Sequence, residues 1–359
     1  MAAAQENGTV MRLTFLLMLS ACLFCAAPVS AQQRDYFLPT PAVQKYAVIL
    51  AGAAVEEQYK KQIKRWALHL HDILTKDYRY EAGQIVLLMD QADPEDARVS
   101  GSSRGENIKD ELRQLKEAVS PGDQVFIFLL GHGTSSEEAA KFVISGVDIT
   151  AREVAAILQT FSEQDIVLVN ATSSSYPFST LLSGPGRVIV SATRSGAEKY
   201  DTIFAEFFIA ALDGHTGDRD KNGRVSIWEA FRFASQKVEK WYEDQNRIPT
   251  EHGVLDDNGD GVFSNDPDQL ENDGRLAQIA YLDLIPAKLA DDKNSTAAAS
   301  AIVRDLTAQV RELERSVFLL RNRKAELPTE LYQKEMEVLL IDLARMSRKL
   351  NNVTTAPGD

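Results

Sequence analysis

Residues 123–134, DQVFIFLLGHGT, limit the fold more than any other stretch of the chain. Val125 to Leu130 form an unbroken apolar run, opened by the turn signal Pro121-Gly122 and closed by Gly131. Such a run predicts a strand buried on both faces, as in the middle of a parallel sheet. It ends in Gly131-His132-Gly133, a histidine between two glycines at the strand's C-terminal end. In open α/β sheets the loops at that edge gather ligands and reacting groups. Glycine on both sides gives the backbone conformations that other residues avoid and lets another chain come close. By itself the stretch is equally a strand that ends in a turn with an incidental histidine.

The neighbouring sequence extends the pattern. Further apolar runs at 46–52, 84–89, 165–169 and 187–192 read as strands. Between them, Tyr59, Ile63, Trp66, Leu70 and Ile73 share one helical face, and Ile108, Leu112, Leu115 and Val119 share another. Residues 150–161 read as a third helix, Phe204 begins a fourth, and 141–147 suggests a short hairpin strand. Strands alternating with helices of this length imply βαβ units, hence an α/β fold with a mainly parallel sheet flanked by helices.

Beyond residue 287 the character changes. Leu306, Val310, Leu313, Val317 and Leu320 repeat at heptad spacing, as do Tyr332, Met336, Leu339, Leu343, Met346 and Leu350. Pro328 separates the two stripes, and proline is at home only in a helix's first turn. The spacing predicts an antiparallel helical hairpin of coiled-coil type over 287–359. Its faces serve either packing on the chain's own domain or association with a partner or a second copy through 302–350.

Residues 1–31 read as a signal peptide. Arg12 precedes an apolar core, and Val29-Ser30-Ala31 is a small-residue cleavage site, with Met11 a plausible start. The sequence therefore points to an exported protein, periplasmic or extracellular. A lipoprotein-type cut that leaves Cys22 as an anchor is the alternative, and the one route to a membrane. The chain's two cysteines, Cys22 and Cys25, both lie in this segment. Cleavage after Ala31 leaves no thiol for a disulfide, a nucleophile or a metal site. The net charge of −13 argues against nucleic acid or an anionic membrane as partner.

A strand ending Gly-His-Gly, followed some forty residues on by a strand ending in an acidic or amide residue and then Ala-Cys-x-Ser-Gly, resembles the caspase/legumain-like cysteine peptidases. Here 126–133 and 166–175 carry the resemblance, which spans roughly 46–212. It implies a histidine general base at His132, with Gly133, Ser174 and Arg194 lining the substrate groove. It also implies a nucleophile at Thr172, where the family has its cysteine. A threonine hydroxyl is weakly nucleophilic until a base takes its proton, and its β-branch restricts its rotation. The pattern thus suggests a peptidase-like frame without cysteine-peptidase chemistry, a pseudopeptidase holding a peptide or protein partner. The alternative is an active hydrolase that uses Thr172, or one of Ser173, Ser174 and Ser175, with His132. Of the other histidines, His69 and His71 point to different sides of a helix, and His215 and His252 are expected to be solvated.

Asp218-Arg219-Asp220-Lys221-Asn222-Gly223-Arg224-Val225-Ser226-Ile227-Trp228-Glu229 fits the EF-hand loop D-x-[DN]-x-[DN]-G-x5-E at every defined position. Calcium ligands would come from Asp218, Asp220, Asn222, the Arg224 carbonyl, Ser226 through water, and both oxygens of Glu229. A second loop, 256–264, opens in the same way but has Pro267 at its twelfth place, so it is read as either a looser calcium loop or a plain turn. The expected organisation is a signal peptide over 1–31, a caspase/legumain-like domain over 32–286 containing the calcium loop, and the hairpin over 287–359.

Overall fold

In the computed structural model, which describes residues 36–37, 43–266, 273–283, 297–324 and 326–355, the predicted strand at 125–130 lies in the interior. It is β4 (Gln124–Leu130), buried at all seven residues. The export segment, Cys22, Cys25, Ala31 and the boundary at 286 lie outside the described residues. β4 runs parallel to β1 (Lys45–Ala51) on one side and β8 (Asp165–Asn170) on the other. The sheet continues through β2 (Ile85–Met89) and β3 (Gly101–Ser102) at one edge, and through β9 (Arg187–Ser191) and β10 (Val254–Asp256) at the other. The order is β10-β9-β8-β4-β1-β2-β3, and every pairing is parallel except that of β10 with β9.

Alternation along β4 explains why both its faces are apolar. Phe126, Phe128 and Leu130 enter one core, shared with α1 (Glu57–Lys76), α5 (Phe204–Leu212) and α6 (Ile227–Asp244). Val125, Ile127 and Leu129 enter the other, shared with α2 (Gly105–Ala118) and α3 (Ala151–Leu158). Successive strand side chains point to opposite faces, so a strand covered by helices on both sides must be apolar throughout. The chain is α/β, with a mostly parallel sheet between two helical layers.

Three details differ from expectation. The third helix ends at Leu158, three residues early, and begins on a capping box in which Thr150 and Glu153 satisfy each other's backbone N–H. The strand read at 141–147 is only β6 (Ala140–Phe142), because the chain then turns at Gly146, whose φ is +92°. β6 joins β5 (Gly133–Ser135) and β7 (Ile149–Thr150) in a small antiparallel sheet. β3 and β10 escaped the sequence reading because two or three residues are too few to show a period.

The C-terminal stripes form a pair of helices, α7 (Ala297–Asn322) and α8 (Thr329–Thr355). Val310, Val317, Leu320 and Leu350 are buried, and Phe318 packs against the core that also takes Trp228 and Ile279. Arg321 donates to Gln278 Oε1 at 2.6 Å. Among the described residues, no helix is long and apolar enough to cross a membrane.

Candidate functional site

β4 and β8 lie in parallel register, with Leu129 opposite Asn170. Their C-terminal loops, Gly131-His132-Gly133 and 171–175, therefore leave the sheet side by side. The approach is close enough to require glycine: a Cβ on Gly133 would collide with the Ser173 carbonyl and come within 2.9 Å of Thr172 Oγ1.

Each hydroxyl in the second loop has a partner. Thr172 is 2% exposed, and its Oγ1 donates to Asn170 Oδ1 at 2.7 Å. Ser173 Oγ donates to the Gly133 carbonyl at 3.3 Å and accepts the Gly133 N–H at 3.2 Å. Ser174 has a φ of +49°; its Oγ donates to the Gly196 carbonyl at 3.1 Å and its N–H to the Glu198 carbonyl. Ser174, expected to line a substrate groove, is instead buried. Ser175 Oγ accepts from Ser191 Oγ at 2.9 Å and from the Thr193 N–H at 3.1 Å. None of the four is hydrogen-bonded to His132.

The imidazole faces a different neighbour. His132 Nδ1 lies 3.0 Å from Asp201 Oδ1, and the ring meets Tyr59 edge-on with centroids 5.8 Å apart. Hydrogen bonding to Asp201, followed by burial and the carboxylate's charge, raises the Tyr59 phenol above its ordinary range. Asp201 and Tyr59 escaped the sequence reading: Asp201 lies in an irregular loop with no motif, and Tyr59's spacing marked it for the core. Arg194 is half exposed, with Nε 3.4 Å from Glu198 Oε1.

The other histidines add to expectation at His252 and correct it at His215. His252 is partly exposed, and its Nδ1 sits 2.6 Å from Glu198 Oε1, so it shares that carboxylate with Arg194. His215 stacks on Tyr78 at 5.1 Å and has a buried Nε2 without a partner, because the chain turns through a left-handed φ of +59° there and folds the ring inward. His69 and His71 do diverge, the first to Asp213 and the second into the protein interior. Behind the site, Glu251 accepts the N–H groups of Ile203 and Phe204 at the start of α5, and burial pushes its carboxyl up to about 7.

The loop at 218–229 is built differently. Asp218 accepts from the N–H groups of Asn222 at 3.1 Å and Gly223 at 3.0 Å, and Gly223 turns the chain at a φ of +86°. Asp220 accepts from the Asn222 N–H at 2.9 Å, and Asn222 Oδ1 from the Arg224 N–H at 2.9 Å. Glu229, in the first turn of α6, reaches back over the loop: Oε1 accepts the Arg219 N–H at 3.0 Å and Oε2 the Ser226 N–H at 2.9 Å. Ser226 is the N-cap of α6, and its hydroxyl donates to Glu229 Oε2. The Arg224 guanidinium points away, paired with buried Asp283 at 2.8 Å and lying over the Tyr281 ring at 3.6 Å.

Oxygens of Asp218, Asp220 and Glu229 lie within 4.8 Å of one another. No cationic side chain pairs with them among the described residues, and Glu229 is 4% exposed. Burial, with the charges of Glu229 and Asp218, pushes the Asp220 carboxyl up to about 7. Three converging, unpaired carboxylates make an oxygen-only donor set that could hold a metal ion, and such sets suit hard divalent cations.

No protein-family model matches the chain, and no curated protein does. Among solved structures, protein GSU0716 from Geobacter sulfurreducens aligns with a TM-score of 0.39 at 10% identity, over 59% of this chain and 92% of that one.

Proposed function

We propose that the chain is an exported, caspase/legumain-like protein that holds a peptide or protein partner and does not cleave it, and that calcium braces it. The observation that carries this reading is the hydroxyl arrangement at 172–175. A serine or threonine nucleophile needs its proton within reach of a base. Here the Thr172 hydroxyl donates its hydrogen bond to Asn170 Oδ1, and the three serines are tied to backbone carbonyls and other hydroxyls. His132 and Arg194 keep partly exposed polar atoms at the sheet edge, suited to orienting a bound chain.

The loop supports the calcium part of the reading. Asp218, Asp220 and Glu229, with Asn222 and the Arg224 carbonyl, would hold the ion, which supplies charge neutralisation and no bond-making. Calcium is abundant outside cells, where a site of ~10⁻⁴–10⁻³ M affinity suffices to brace a fold. The loop joins α5 to α6, so its closure fixes α6 against the sheet.

The test is cleavage of a mixed fluorogenic peptide library with calcium present and with calcium chelated, by the wild-type protein and by Thr172→Cys. Cleavage by the variant alone is the expected result, since a thiolate restores the missing nucleophile to the same frame. Cleavage by the wild-type protein, lost on replacing His132, would overturn the reading in favour of a hydroxyl hydrolase. The stripes at 302–350 turn largely inward, and the exposed apolar residues beside them, Leu319, Leu331, Val338, Leu340 and Ile341, support association through the hairpin. Deleting 297–355 is expected to abolish partner or self-association, and unchanged association would remove the hairpin from that role.

A further inference from the structure

The loop at 256–264, DDNGDGVFS, repeats the opening of the loop at 218–226, DRDKNGRVS. Asp256, Asn258 and Asp260 stand where Asp218, Asp220 and Asn222 stand, and Gly261 stands where Gly223 does. The sequence parallel stops at the twelfth place, Pro267, which offers no carboxylate. The folded chain supplies one from elsewhere. In the first loop Glu229 Oε1 accepts the N–H of the loop's second residue, Arg219, at 3.0 Å. In the second loop the N–H of the second residue, Asp257, is donated to Asp273 Oδ1 at 3.2 Å.

Asp273 thus takes, against the second loop, the place that Glu229 takes against the first. Its remaining oxygen, Oδ2, is buried and accepts no hydrogen bond, in a residue that is 1% exposed. Asp256 is equally buried, and no cationic side chain pairs with Asp256, Asp260 or Asp273 among the described residues. A buried carboxylate oxygen without a partner is unfavourable unless a proton or a cation meets it.

We infer that 256–264 together with Asp273 forms a second divalent-cation site, in which Asp256, Asn258, Asp260 and Asp273 hold the ion through oxygen atoms. Both Asp256 oxygens accept loop N–H groups, from Gly259 at 2.9 Å and Gly261 at 3.1 Å, as those of Asp218 do in the first loop. Asp257 is not a ligand: it stands at the loop's second place, as Arg219 does, and its oxygens accept the N–H groups of Gly274 at 3.0 Å and Ala277 at 2.8 Å from outside the loop. Those bonds attach the loop to 273–283, whose far end lies on the first loop. There Tyr281 bridges to Ser226, and Asn222 Nδ2 donates to the Tyr281 hydroxyl at 3.3 Å. The two cation loops therefore clamp opposite ends of one segment. The second is the looser, since among the described residues only the first brings three carboxylates within 4.8 Å. Its affinity is accordingly the lower of the two.

Equilibrium dialysis of calcium into the millimolar range, on the full chain and its variants, tests the inference. It predicts about two equivalents for the wild-type protein and about one for Asp260→Ala. Asp273→Asn should also bind about one, and the exposed Asp260 serves as the readout if that buried change impairs folding. Glu229→Gln should retain the weaker equivalent. A single wild-type equivalent that Glu229→Gln removes and Asp260→Ala leaves would overturn the second site while keeping the first. A single equivalent lost in Asp260→Ala and kept in Glu229→Gln would sustain the second site and overturn the calcium reading of the first. Absence of binding throughout would overturn both.

Discussion

The strand edge at 131–133 and 171–175 and the loop at 218–229 are both dense in oxygen atoms, and they are opposites in how those atoms are used. At the strand edge Thr172, Ser173 and Ser174 donate to neighbours inside the protein, and Ser175 is bonded to Ser191 and Thr193. In the loop three carboxylates converge without a cationic partner among the described residues, and the set could hold a metal ion. A polar cluster whose members satisfy one another stabilises a fold, whereas like charges facing each other destabilise it unless a proton or a counter-ion neutralises them. The difference directs the search for function away from the histidine motif's chemistry and toward binding.

The largest expected effect lies beneath the loop. Asp283→Ala should cost about 3–5 kcal/mol in urea denaturation, because it leaves the Arg224 guanidinium buried without its counter-ion. A cost below about 1 kcal/mol would show that the loop's underside is not a sealed interior. Next is the buried carboxyl of Glu251. Glu251 titrates near 7 when folded and near its ordinary 4.5 when unfolded, so the folded state binds the proton more tightly. Its stabilising contribution is complete below about pH 4.5 and is lost as pH rises through about 7. That loss is on the order of 3 kcal/mol, and Glu251→Gln should flatten the slope when denaturation is measured with calcium present. An unchanged slope would assign it to other groups.

Removing the ligand that spans the loop should weaken calcium binding about 100-fold or more in Glu229→Gln, so that saturating calcium no longer raises the melting temperature by about 5 °C. An undiminished rise would show that the acidic trio is not what holds the ion. The smallest effect belongs to the strand edge. Thr172→Val should cost about 1 kcal/mol, the worth of one internal hydrogen bond, and leave peptide binding intact. Loss of binding with no loss of stability would mean that the hydroxyl faces the ligand, and the contrast between the two regions would fail.

The layered sheet was legible because burial on both faces forces a continuous apolar run, as in 125–130. The first loop was legible because its ligands are local in sequence, spaced by the turn that Gly223 makes. Asp201 beside His132 and Asp273 beside Asp257 were not legible, since each is brought into place by tertiary packing and carries no local pattern. That a threonine stands at 172, where the family the sequence resembles has its cysteine, was visible in the sequence. The direction of its hydroxyl was not, because Asn170 becomes its acceptor only once β8 ends and the chain doubles back.

The most direct test of the contrast is labelling of the calcium-loaded wild-type protein with a fluorophosphonate that reacts with activated hydroxyls, followed by peptide mapping of residues 166–199. The hydroxyl arrangement predicts no adduct at Thr172, Ser173, Ser174 or Ser175. A His132-dependent adduct on any of the four would contradict it and place an active nucleophile at the strand edge.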